Sequence, residues 1–139
     1  MRREVLLCFL LFAISGKGIA QTSLKTPGFE IQISETGRVT TLRDPSTGIN
    51  YLAKGQSSPL LQIKWDTAWE QPDRAEFNEK AKVLKLMYPA HKIQIELSIF
   101  IAQTHISFKL VSATKKEMIR AVCWGPFPTT IGKTIGEVV

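Results

Sequence analysis

Sulfur, imidazole and long apolar runs are what this sequence has least of. Its 139 residues include two cysteines and two histidines. Cys8 lies in the N-terminal stretch, so removal of that stretch leaves Cys123 alone, which excludes an internal disulfide. His91 and His105 stand well apart, with no Cys or carboxylate at ligand spacing around either, so a zinc site finds no support. The longest apolar run is Val5–Ile14. A helix of that length covers only about half of a ~30 Å hydrocarbon core, too little for a membrane anchor. Beyond the first twenty residues no basic run exceeds Lys115-Lys116, which argues against a polybasic lipid-binding patch.

What stands at the N-terminus has the three parts of a cleavable export signal. Arg2, Arg3 and Glu4 give a short positive region, Val5–Ile14 the apolar segment, and Gly18-Ile19-Ala20 the small residues before a cut at Gln21. Residues 1–20 are therefore expected to be a signal peptide, and the protein to be exported, periplasmic or extracellular, with no stable membrane anchor after cleavage. The formal charge of +6 loses Arg2, Arg3, Lys17 and Glu4 on cleavage and falls to +4. That is too weakly basic for a nucleic-acid footprint, so no nucleic-acid partner is expected. The remaining length holds one domain, residues 21–139.

Period-2 alternation dominates that domain, the mark of strands with one buried face. Phe29, Ile31 and Ile33 alternate with Glu30 and Gln32, and Val39 and Leu42 follow the Ser34–Gly37 turn. Asp44-Pro45-Ser46-Thr47-Gly48 reads as a second turn, with Pro setting φ and Gly supplying a positive φ. Further strands are expected at Ile49–Ala53, Leu61–Trp65, residues 81–88 and Met118–Trp124. Ile93, Ile95, Leu97, Ile99 and Ile101 at strict spacing of two define a core-facing strand, and Ile106, Phe108 and Leu110 return from it as an antiparallel hairpin. Residues 66–80 are expected as a polar, solvated loop, with Asp73 and Glu76 as a candidate helix cap. The fold class is all-β, an antiparallel β-sandwich, expected to be incomplete at the C-terminus because Glu137-Val138-Val139 reads as the start of a strand.

Few constellations carry chemistry. Gly132-Lys133-Thr134 has the ending of a phosphate-binding loop, but Phe127 stands where its first glycine belongs, and strand-like residues follow. Gly132 and Gly136 have GxxxG spacing without the apolar span that would give it meaning. Asp66, Glu70, Asp73, Glu76 and Glu79 cluster in the polar stretch but lack the order of a calcium loop and are interleaved with cations. His105 is expected to face solvent, and Cys123 to be a buried, inert thiol in an apolar strand. Trp65 is in phase with Leu61 and Ile63 and is expected in the core. Trp69 in the polar stretch and Trp124 at a strand end are the candidate carbohydrate-binding residues, because exposed aromatic faces stack on the C–H faces of sugar rings. No catalytic or metal-binding residue and no cofactor is assigned.

The segment Gly37–Leu52, with its D-x-x-T-G turn, resembles a recurrent opening of secreted carbohydrate-active enzymes. There it begins a galactose-mutarotase-like β-supersandwich, often ahead of a (β/α) barrel glycosidase. The stretch Cys123-Trp124-Gly125-Pro126-Phe127-Pro128-Thr129-Thr130-Ile131 is similar to segments of Bacteroidetes-type exported hydrolases of alpha-galactosidase character. The resemblance implies a noncatalytic sandwich supporting a downstream catalytic domain whose carboxylates do the hydrolysis. Free-standing mutarotases use a His and a Glu, a pattern not matched to His91, His105 or any particular Glu here, so their activity is not carried over. Three readings follow: a noncatalytic sandwich portion of an exported glycoside hydrolase, a carbohydrate-binding module, and a periplasmic structural or interaction domain.

Overall fold

The computed structural model describes residues 21–131. The signal peptide expected at 1–20, the Gly132–Thr134 and Gly132/Gly136 motifs and the strand expected at 137–139 lie outside the described residues.

Eleven strands fill the described chain: β1 Thr22–Thr26, β2 Phe29–Ile33, β3 Arg38–Arg43, β4 Ser58–Pro59, β5 Leu61–Trp65, β6 Ala68–Glu70, β7 Arg74–Asn78, β8 Val83–Tyr88, β9 Ile93–Ile101, β10 Ile106–Ala113 and β11 Ile119–Trp124. A single 3₁₀ turn, Lys116–Met118, precedes β11. All strand pairs are antiparallel, in three sheets ordered β1-β2-β3-β4, β10-β9-β8-β7 and β11-β5-β6. The arrangement is sandwich-like and all-β, as the alternation predicts.

One contiguous apolar core draws on all three sheets, with Ile31, Ile33 and Val39 from the first, Leu84, Leu86, Ile95 and Leu97 from the second, and Leu61 and Ile63 from the third. β9 shows why. Its even spacing buries Ile93, Ile95, Leu97 and Ile99 while Gln94, Glu96 and Ser98 stay partly exposed on the opposite face. Tyr88, at the end of β8, is fully buried and donates its hydroxyl to the Leu61 carbonyl at 2.9 Å, which ties the second sheet to the third.

Several expectations change, and Ile101, expected on the core face of β9, is 38% exposed. Ile49–Ala53 is not a strand; it carries only isolated bridges, Arg43 to Asn50 and Leu52 to Thr129. The Asn50 Oδ1 accepts the N–H groups of Leu42 and Leu52, so a side chain takes the place of a ladder partner. Residues 66–80 are not a solvated loop. They hold β6 and β7, whose pairing with Ile63–Trp65 and Val83–Met87 satisfies their backbone, and Asp73 and Glu76 cap no helix. Cys123 is partly exposed rather than buried, because β11 is an edge strand with no neighbour on its outer side among the described residues. The strand expected at 81–88 runs from Val83, and Met118 belongs to the 3₁₀ turn. The Asp44–Gly48 turn forms as expected, with Gly48 at φ 72° and the Asp44 carboxylate accepting the Ser46 hydroxyl and N–H, which holds its pKa down.

Glu30 is the buried carboxylate of the first sheet, 1% exposed. Alternation places it opposite the core, and there a lid of polar side chains encloses it: Arg43 through its guanidinium, Gln32 Nε2 at 2.9 Å, Ser23 Oγ at 3.1 Å and Lys25 Nζ at 3.2 Å. Arg43 first and Gln32 next hold its pKa at about 2, below the usual 4.5, against an opposing push from desolvation. A carboxylate depressed in the folded state stabilises fully above its unfolded pKa and loses that contribution as pH falls through the folded one. Thermal melts should therefore show an acid-induced loss of stability between about pH 4.5 and 2. Glu30→Gln should lower the melting temperature at neutral pH and shrink that acid-dependent loss. An unchanged acid limb in the variant would place the titration elsewhere.

Candidate functional site

The surface with most potential for recognition lies where two sheet edges meet. β10 ends the second sheet and β11 ends the third, and neither has a strand on its outer side among the described residues. Phe108 of β10 and Trp124 of β11 approach with ring centroids 6.3 Å apart. Alternation adds Leu110 to Phe108 and Val122 to Trp124 on their respective strands. A register shift between Leu110 and Ser112 interrupts the alternation of β10, and Leu110 and Val111 are both exposed. Leu110, Val111, Val122 and Trp124 are 39%, 50%, 42% and 42% exposed. Scattered exposed apolar residues are ordinary, but a run of them along two neighbouring unpaired edges is not.

Trp69 and Trp124, the two candidate sugar-stacking residues, do not come together as one platform. Trp69 lies on β6, is 48% exposed and has the Lys64 ammonium 6.0 Å from its ring centroid. β6 and β11 flank β5 on opposite sides, which keeps the two indoles on separate borders of the third sheet. Trp65 packs against the core as expected, though only partly buried.

A second cluster was not visible in the sequence. His91, in the β8–β9 turn, meets Glu70 of β6 with Nδ1 2.7 Å from Oε2, and its ring stacks on Trp65 at 4.1 Å. An ionised carboxylate only accepts, so Nδ1 carries the proton in this contact. Glu70 Oε1 also accepts the Ala90 N–H at 3.0 Å, and Lys115 Nζ donates to the His91 carbonyl at 2.7 Å. Glu70 thus grips the turn of one sheet from the edge strand of another, and Lys115 fastens it from the β10–β11 connection. Residues 21 apart in sequence give no local signal of this pairing. A carboxylate-held imidazole is also half of a general-base arrangement, but among the described residues no hydroxyl or thiol is hydrogen-bonded to Nε2. The geometry makes it a clamp between sheets.

His105 is exposed, as expected. Of the five acids of the polar stretch, Glu70 goes to His91 and Asp66 to the β5–β6 turn, while Glu76, paired with Arg74 at 2.6 Å, shares surface hollows with Asp73 and Glu79. Among the described residues no group of three or more His, Cys, Asp or Glu could hold a metal ion. These features define an all-β sandwich-like domain with an apolar border. Comparison with protein-family models, curated proteins and solved structures found no match to the chain.

Proposed function

We propose that this chain is the noncatalytic N-terminal β-sandwich portion of an exported carbohydrate-active enzyme of the glycoside hydrolase type, supporting a downstream catalytic domain in the same polypeptide and contacting glycan at its border. The observation that carries this reading is the unpaired apolar border of β10 and β11, with Leu110, Val111, Val122 and Trp124 open to solvent. A surface of this kind fits a large, permanent intrachain interface better than a transient encounter, because obligate interfaces resemble a core cut in half. The exposed indoles of Trp69 and Trp124 support glycan contact. The likeness of Gly37–Leu52 and Cys123–Ile131 to secreted carbohydrate-active enzymes supplies the enzyme class.

The test expresses the chain with the coding sequence that follows it. Hydrogen exchange should show β10 and β11 protected in the longer product and open in the 139-residue chain. Leu110→Glu and Val122→Glu should change the stability of the isolated chain by no more than about 0.5 kcal/mol, since both sites are exposed, yet abolish the extra protection. Equal exchange in both products would sink the support role. A carbohydrate-binding module working by itself predicts instead that the isolated chain is retarded in glycan affinity gels and released by Trp69→Ala or Trp124→Ala.

A further inference from the structure

Between the β5–β6 turn and the start of β11 the surface opens into a cleft of about 360 Å³ lined by Trp65, Asp66, Glu117, Met118 and Arg120. Two backbone irregularities deliver its charged members. Asp66 sits in the left-handed region at φ 53°, a conformation that Asp tolerates better than most residues. Arg120 falls at the register shift between Ile119 and Ala121 where β11 pairs with β5, and a bulge of this kind re-aims a side chain.

The charged groups of this cleft face solvent, whereas the other described arginines are paired within the fold. Arg38 is engaged by Ser57 and Gln71, Arg43 by Glu30 and Arg74 by Glu76. Among the described residues Arg120, Asp66 and Glu117 form no ion pair, and all three stand exposed to solvent at the cleft. Two carboxylates and a guanidinium border one cleft without pairing to each other, beside an aromatic ring and a thioether.

That set of groups narrows the ligand. Two carboxylates disfavour an anion, and the guanidinium disfavours a cation. A neutral molecule with both hydroxyl donors and oxygen acceptors satisfies all three, and an apolar C–H face suits Met118 and the part of Trp65 left open by its stacking on His91. We infer that the cleft is a subsite for one neutral sugar residue, in which Asp66 and Glu117 accept from hydroxyl groups, Arg120 donates to a hydroxyl or ring oxygen, and Trp65 supplies the apolar wall. The volume lies at the small end of ligand pockets, in keeping with a single ring. The inference rests on the proposed glycan contact and moves its centre from Trp69 and Trp124 to Trp65.

The chain has three tryptophans, so three indole N–H signals in a ¹H–¹⁵N spectrum report on three separate places. Titration of the full chain with D-glucose and with D-galactose should shift the Trp65 indole saturably with at least one of them. Asp66→Asn, Glu117→Gln and Arg120→Gln should each weaken that response by about tenfold, the loss of one charge-assisted hydrogen bond. Lys54→Ala, in an exposed turn outside the cleft, should leave it unchanged. No saturable shift with either sugar overturns the subsite, as does an equal response to glycine or an unaltered response in all three variants. Protection of β10 and β11 by the following domain, in a protein whose Trp65 ignores sugars, would remove this subsite while leaving the support role standing. Sugar binding at Trp65 without such protection would do the reverse.

Discussion

Tyr88→Ala is expected to be the most damaging single substitution in the sandwich, costing about 3–5 kcal/mol. Tyr88 is the largest fully buried side chain, and its removal leaves a void where the second and third sheets meet. The loss compares with the whole stability of an ordinary domain, about 5–15 kcal/mol, so the variant should be partly unfolded at physiological temperature. Tyr88→Phe separates packing from hydrogen bonding. It keeps the ring and gives up only the 2.9 Å bond to the Leu61 carbonyl, at a cost of about 1 kcal/mol. Burial and the nearby Glu70 carboxylate push the phenol above the usual tyrosine range, so it stays a protonated donor throughout the stable pH range. Chemical denaturation of the three proteins checks the order. Equal costs for the alanine and phenylalanine variants would show that the ring contributes nothing by packing.

Gly37→Ala should cost about 2–5 kcal/mol, although it adds only a methyl group. Gly37 closes the β2–β3 turn at φ 74°, where a side chain costs about 1–2 kcal/mol for backbone reasons alone. A Cβ there would also lie 2.8 Å from Pro72 Cγ and 3.1 Å from Leu86 Cδ2, and Leu86 is fully buried. The turn has little room to retreat, because its Gly37 carbonyl accepts the Leu60 N–H at 2.9 Å and the Glu35 carbonyl accepts the Ala75 N–H. Gly48 is the matched control. Its φ is 72°, yet nothing lies within 4 Å of the added atom, so Gly48→Ala should show the backbone cost alone. Melting temperatures of the two variants would measure the steric part by difference. Equal shifts would mean that Pro72 and Leu86 yield freely.

The residues that announced their structure in advance did so through unbroken alternation. Ile93 to Ile101 could be read at sight, and its register with β10 follows from the short connection. β1 was hidden because Leu24 is its one large apolar residue, and β1 gains its place from pairing with β2. β7 was hidden by its charges, since Arg74 and Glu76 face outward and only Ala75 and Phe77 turn toward the core. In the other direction, Ile49–Ala53 has strand composition but loses its ladder to the Asn50 amide. The site followed the same rule. Exposure of Trp69 and Trp124 could be anticipated from their polar or terminal neighbours, whereas the Glu70–His91 pair and the Trp65 cleft join residues from separate elements. Period and spacing describe one strand at a time, and both features exist only between strands.

Of the strand ladders among the described residues, the one between β5 and β11 joins the segments farthest apart in sequence. Most other ladders join neighbours along the chain: β1 with β2, β2 with β3, and β7 through β10 in an unbroken meander. Each closes a short loop and loses little chain entropy in doing so. Leu61–Trp65 must instead await Ile119–Trp124, with five strands made in between. Without β11, β5 has only the three-residue β6 as a ladder partner. The meander ends at Ala113 and β11 begins at Ile119, so β5 gains this partner only when nearly all of the described chain has been made.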